Sequence, residues 1–165
     1  MKKERPEPRL LVRIANESSE SRLPRKLLLE LLDFAYSKRR KKSAAIDILV
    51  LDDAGIAKLN RRHLGRDHST DVLAFDDGEE DPDGRIRLGD VAISAETARR
   101  EAGAHGVGFT RELAFYAVHG LFHLLGMDDG SPADREAMQA AQADAMREYG
   151  LAVGDSLVDA MDKDN

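Results

Sequence analysis

His119-Gly120-Leu121-Phe122-His123-Leu124-Leu125-Gly126-Met127-Asp128-Asp129 reads as the last turns of an apolar helix, a glycine stop and two carboxylates. His119 and His123 are four residues apart, so on a helix they share one face with Cβ atoms about 6 Å apart. That spacing lets two imidazole nitrogens meet one ion at about 2.0–2.1 Å. Gly126 stands where such a helix ends, because glycine enters the left-handed conformation without steric cost. The chain can then double back and offer Asp128 or Asp129 as a third ligand. Three protein ligands and one place for water is the pattern of a catalytic zinc rather than a structural one. Two histidines four apart also occur as plain core residues, and the spacing alone has accidental matches. A zinc protease would carry its base, a glutamate, directly after the first histidine; here that residue is Gly120.

Outward from this stretch, a chain of 165 residues is long enough for one domain with a substantial core. Without cysteine it has neither disulfides nor thiolate metal sites. The N-terminal Met1-Lys2-Lys3-Glu4-Arg5-Pro6 has no apolar run behind its charges, so no signal peptide is expected. Leu113 to Met127, the longest apolar stretch, is too short to span a bilayer. A cytoplasmic protein with no membrane partner is the expectation. The net charge of −6 is unevenly spread: residues 1–66 hold 17 Lys and Arg against 9 Asp and Glu, and the remainder 8 against 22. One basic face, usable by a polyanion, is the reading this invites. The run Lys38-Arg39-Arg40-Lys41-Lys42 serves equally well as a cationic helix end or as an RNA contact.

Residues 1–9 read as a disordered tail and 151–165 as a loose acidic one, leaving 10–150 as the domain. Leu10–Ile14 and the β-branched run Ile46–Leu51 read as strands. Pro24 opens a helix whose Leu27, Leu28, Leu31, Phe34 and Ala35 follow the 3.6 period. Asp52 or Asp53 caps a helix over 54–64. Thr70–Phe75 is a third strand, the acidic run Asp76–Gly84 an exposed loop, and Arg85–Ile93 a fourth strand antiparallel to the third. Ser94 caps a helix to Ala102, Thr110 the His-bearing helix over 111–125, and Ser131-Pro132 opens a last helix to Tyr149 closed by Gly150. The order predicts an α+β fold, a small mixed four-stranded sheet packed with about five helices. The His-bearing helix, the most apolar, should be central. Glu112 is about 10 Å of helix rise from His119 and reads as a helix-start carboxylate. His63, His68 and His105 read as surface histidines. Asn60, Arg61, Arg62 and Arg66 can reach phosphates or stay solvated.

Three blocks together carry a resemblance over about residues 10–149. Leu59-Asn60-Arg61-Arg62-His63-Leu64-Gly65-Arg66-Asp67-His68-Ser69-Thr70-Asp71-Val72-Leu73-Ala74-Phe75 is the first, Leu88-Gly89-Asp90-Val91-Ala92-Ile93-Ser94 the second, and His119 to Asp129 the third. In this order and spacing they resemble the bacterial endoribonuclease YbeY family of ribosomal-RNA maturation factors. The resemblance implies a zinc-dependent endoribonuclease specific for single-stranded RNA. It also implies 16S ribosomal RNA 3′ end processing, ribosome quality control, and the ribosome or its proteins as partners.

On the same grounds His119 and His123 carry catalysis and bind one zinc ion per chain. The family's third zinc-binding histidine falls on Asp129, with Asp128 as the local rival. A carboxylate there adds negative charge, weakens the zinc as an electrophile and favours harder metals such as manganese or magnesium. Met127 replaces a tyrosine, Ser69 a proline and Ala74 a serine. Leu64 stands where the family often has a basic residue implicated in catalysis, leaving Arg61, Arg62 and Arg66 as the candidates for RNA contact. Two other readings compete: another metal-dependent hydrolase such as a peptidase, and a ribosome-associated binding protein with a structural metal.

Overall fold

The computed structural model describes residues 6–66 and 70–151. In chain order they form β1 (Leu10–Asn16), α1 (Arg25–Ser37), β2 (Ala44–Leu51), α2 (Asp53–Leu64), β3 (Val72–Asp76), β4 (Ile86–Ser94), α3 (Ala95–His105), α4 (Phe109–Leu124) and α5 (Pro132–Tyr149). This is the α+β arrangement of four strands and five helices expected from the pattern. Of the two expected tails only 6–9 and 151 are described. Arg9 donates to the carbonyls of Ser37 and Arg40, both at 3.2 Å. Leu151 is buried, its amide on the Met146 carbonyl.

The sheet runs β1-β2-β4-β3, with β1, β2 and β4 parallel and β3 antiparallel to β4. Alternation along the strands gives it two unlike faces. Val12, Ile46, Ile48, Val50, Val91 and Ile93 point into the main core with α1, α4 and α5. The other face carries Arg13, Asp47 and Asp90 at one end, and at the other a small cluster of Leu51, Ile56, Leu73 and Ala92 under α2. Arg13 lies between Asp47 and Asp81, and Arg87 joins Asp47, Asp77 and Asp90.

Two helix starts differ from expectation. Thr110 does not cap α4; Gly108 holds the N-cap position and Thr110 is buried inside the first turn. Asp52 holds the N-cap position of α2, yet its carboxylate accepts from the Ser19 amide instead. The Asp53 amide is capped from α3, by Glu96 Oε1 at 3.0 Å. Ser94 and Ser131 cap α3 and α5 as expected, accepting from the amides of Thr97 and Asp134. Among the described residues no helix is long and apolar enough to cross a membrane.

Candidate metal centre

Sequence and packing together explain where α4 ends. Its apolar surface is buried almost throughout, from Leu113 to Phe122. Gly120 lies against β4: a Cβ there would come within 2.3 Å of Val91 Cγ1. A glutamate at this position would therefore enter the sheet instead of serving a site, which removes the base of the peptidase reading. At the C-terminus Gly126 takes φ +93°, and the Met127 amide bonds back to the Phe122 carbonyl at 3.0 Å. That is the six-to-one bond of a Schellman stop. Arg40 reaches across from the α1–β2 loop and donates to the Leu125 carbonyl at 3.0 Å, a cation where the helix dipole favours one.

This stop folds Asp129 back over the two histidines. His119 Nε2 lies 3.6 Å, and His123 Nε2 3.4 Å, from Asp129 Oδ2. The imidazole rings meet edge to face, centroids 4.7 Å apart. Among the described residues these three form the one group of three or more metal-capable side chains whose ligand atoms all lie within 4.8 Å of one another. Donors about 2.1 Å from a tetrahedral ion sit about 3.4 Å apart, so the spacing is that of atoms sharing an ion. Asp128, the rival left open by the sequence, turns elsewhere: its Oδ1 accepts from the Gly130 amide at 3.0 Å.

The histidine of α4 nearer the core is held neutral. Burial pushes the His119 pKa down, and the neighbouring His123 pushes it further. A hydrogen bond with Gln142 and the carboxylates of Asp71 and Asp129 oppose this without reversing it. A neutral imidazole keeps a nitrogen lone pair for a metal. Gln142 is the residue of this neighbourhood that sequence reading missed. It is 1% exposed, and its Nε2 donates to the Phe115 carbonyl at 3.4 Å. The signal was available: Met138, Gln142 and Met146 make an i, i+4, i+8 row that should be wholly apolar.

The arginines separate. Arg66 and Leu64 line a cleft of about 310 Å³ with Val72, Ala74 and His123. Arg61 and Arg62 sit at exposed positions of the last turn of α2, outside that lining. His63 packs its ring against Phe75, centroids 5.2 Å apart, and His105 lies 3.4 Å from the buried Glu112. His68 lies outside the described residues. The basic run does structural work: Lys38 pairs with Glu148, Arg39 stacks over Phe122 at 4.5 Å, and Arg40 caps α4.

Two imidazoles and a carboxylate converging beside a cleft with an arginine suit a divalent ion acting on an anionic ester. Comparisons with known proteins agree on one family. The family model "Endoribonuclease YbeY" matches residues 13–150. An Endoribonuclease YbeY of Roseiflexus sp. is 43% identical over 64% of this chain and 71% of its own length. That of Bacillus licheniformis is 33% identical over 86% of this chain and 96% of its own. A solution structure of a Thermotoga maritima protein shares the fold, with a TM-score of 0.57 at 24% identity over 84% of this chain and 91% of that one. With its family model covering nearly all of the folded residues, the chain belongs to the endoribonuclease YbeY family.

Proposed function

We propose that this protein is a zinc-dependent, single-strand-specific endoribonuclease that matures the 3′ end of 16S ribosomal RNA and serves ribosome quality control in the cytoplasm. The reaction class follows from the family: an endoribonuclease is a hydrolase of phosphodiester bonds, and its substrate is RNA. The finer reading has one main support, the convergence of His119, His123 and Asp129, with each imidazole nitrogen near tetrahedral spacing from the carboxylate oxygen. These three residues would hold the ion, one per chain, with His119 and His123 indispensable to catalysis. A bound zinc supplies Lewis acidity toward a phosphoryl oxygen and lowers the pKa of its water.

The chain's own residues do the rest. His119, kept neutral by burial, offers Nε2 to the ion. Asp129 brings a negative charge that offsets the metal's charge and favours a harder donor set than three imidazoles. Arg66, beside His123, is placed to fork onto a backbone phosphate, the bidentate contact guanidinium makes well. It would take the part of the basic residue for which Leu64 stands, while Arg61 and Arg62 would steer the RNA backbone from α2.

Metal content and cleavage, measured together, test this. Wild-type protein should carry about one zinc per chain and cut a single-stranded ribosomal-RNA fragment but not its duplex. Asp129→Ala should lose most of both, whereas Asp128→Ala should keep the metal. Full cleavage by His123→Ala in metal-free buffer would refute the mechanism. Ribosome cosedimentation without any cleavage by wild type would favour a binding protein instead.

A further inference from the structure

The cleft beside His123 carries one side chain that a site built only for phosphate would not have. Its walls are mostly apolar: Leu64 of α2, Val72, Leu73 and Ala74 of β3, and Leu124 of α4. Its charged members besides the histidine are Arg66 and Asp76. Arg66 and a metal ion both suit an anionic backbone; a carboxylate next to them does not. Side chains alternate along a strand, and Val72 and Ala74 pack against the main core. Asp76 follows them at the same parity, exposed at the end of β3. Asp77, Asp81 and Asp90 close by are each held by an arginine. No described residue hydrogen-bonds or pairs with the Asp76 carboxylate.

Leu64 is 51% exposed, more than any other large apolar side chain among the described residues. Open apolar surface beside a charged centre suits a flat, weakly polar group, and a nucleobase has two such faces. The cleft of about 310 Å³ lies at the small end of ligand pockets, about 300–1,000 Å³, a size for one nucleoside. A carboxylate only accepts, through two oxygens side by side. Among the four RNA bases, guanine alone presents two neighbouring donors on its Watson–Crick edge, N1–H and the N2 amino group. Adenine, cytosine and uracil each put at least one acceptor lone pair there, which a carboxylate repels. We propose that this cleft is a guanine subsite next to the scissile phosphate: Leu64 and Leu124 cover the base, and Asp76 accepts from N1–H and the N2 amino group. The proposal rests on the ribonuclease reading and adds to it which base stands beside the cut.

Two measurements test it, one with cleavage and one without. Zinc-supplied wild type should cut a single-stranded RNA of randomised sequence with guanine enriched beside the cut. Asp76→Asn turns one acceptor into a donor, a pair that matches adenine. The guanine-to-adenine ratio at that position should then fall by about 5- to 150-fold, the usual worth of one bidentate base contact. The second measurement uses guanosine, inosine and adenosine 5′-monophosphates, which hold no internucleotide bond, and reads the backbone amide shifts of the cleft residues. Guanosine monophosphate should bind tightest, inosine monophosphate, lacking the N2 amino group, next, and adenosine monophosphate weakest. Asp76→Asn should abolish that order, whereas Leu64→Ala should weaken all three together. Cutting with no base preference, or with a preference for another base, overturns the proposal and leaves the ribonuclease reading standing. So does a guanine preference kept in Asp76→Asn, or equal affinity for the three monophosphates, or no shift within the cleft. A wild type that cuts no RNA strikes the ribonuclease reading, and the order of the monophosphates then still decides whether the cleft reads guanine.

Discussion

At the scale of single residues, the centre depends on which of two adjacent aspartates turns inward. The decision comes from the tight turn after Gly126, where Asp128 caps the Gly130 amide and leaves Asp129 facing both imidazoles. The i, i+4 histidines were legible from spacing alone. The aspartate was not, since neighbouring carboxylates are chemically alike until the turn is known. Gln142 stayed hidden because its partners lie on another helix, and only its polarity within an apolar row marked it. Asp129 is also where the family resemblance sets an imidazole, so Asp129→His is the informative exchange. Imidazole suits zinc, whereas a carboxylate suits manganese and magnesium. The ratio of zinc to manganese affinity should rise at least about tenfold, or ~1.4 kcal/mol, read by competition between the two metals. An unchanged ratio would mean that residue 129 does not reach the ion.

At the scale of elements, α4 lies flat on the sheet because position 120 has no side chain. Alanine in a helix interior is ordinarily better than glycine by about 1 kcal/mol. Here its methyl would overlap both Val91 methyl groups, at 2.3 and 2.8 Å. Gly120→Ala should therefore destabilise the fold by about 1–3 kcal/mol, the usual cost of overpacking, and lower the urea midpoint. The cost should shrink in a Val91→Ala background, where the space is open; equal costs in both backgrounds would refute the contact. Periodicity and caps made the elements themselves readable, including the antiparallel pairing of β3 with β4. The place of β4 between β2 and β3 was not readable, because it depends on which strand buries both faces. The cap falls at Gly108 rather than Thr110 for a related reason: Thr110 is buried, and the glycine two residues earlier takes the extended N-cap backbone.

At the scale of the whole molecule, ion pairs join the two halves of the chain in both senses. Cations of the first half meet anions of the second in Arg13–Asp81 and Lys38–Glu148, and the converse holds for Glu20–Arg99 and Asp53–Arg100. The two senses balance, so this ladder of ion pairs links the halves without using up the excess cations of the first, a conclusion open only to a reading with distances. The ladder should show in the acid limb of stability. Asp53 on α2 takes hydrogen bonds from Ser94, Thr97 and Arg100. Burial alone would raise its pKa, but these three bonds outweigh it and the net shift is downward. Unfolded aspartate titrates near pH 3.9, and a folded value below that means protons bind more readily to the unfolded chain. The contribution of Asp53 is thus fully present above pH about 4 and is lost as pH falls through the folded value. Urea midpoints measured from pH 7 to pH 2 should be flat for this group down to about pH 4 and then drop. Asp53→Asn, which keeps one oxygen for the two hydroxyls but loses the charge facing Arg100, should start lower and descend less steeply. The two curves should then converge as the pH falls below the folded value. A constant gap across the range would show that the carboxylate's charge contributes nothing and that α2 is held to α3 by neutral hydrogen bonds alone.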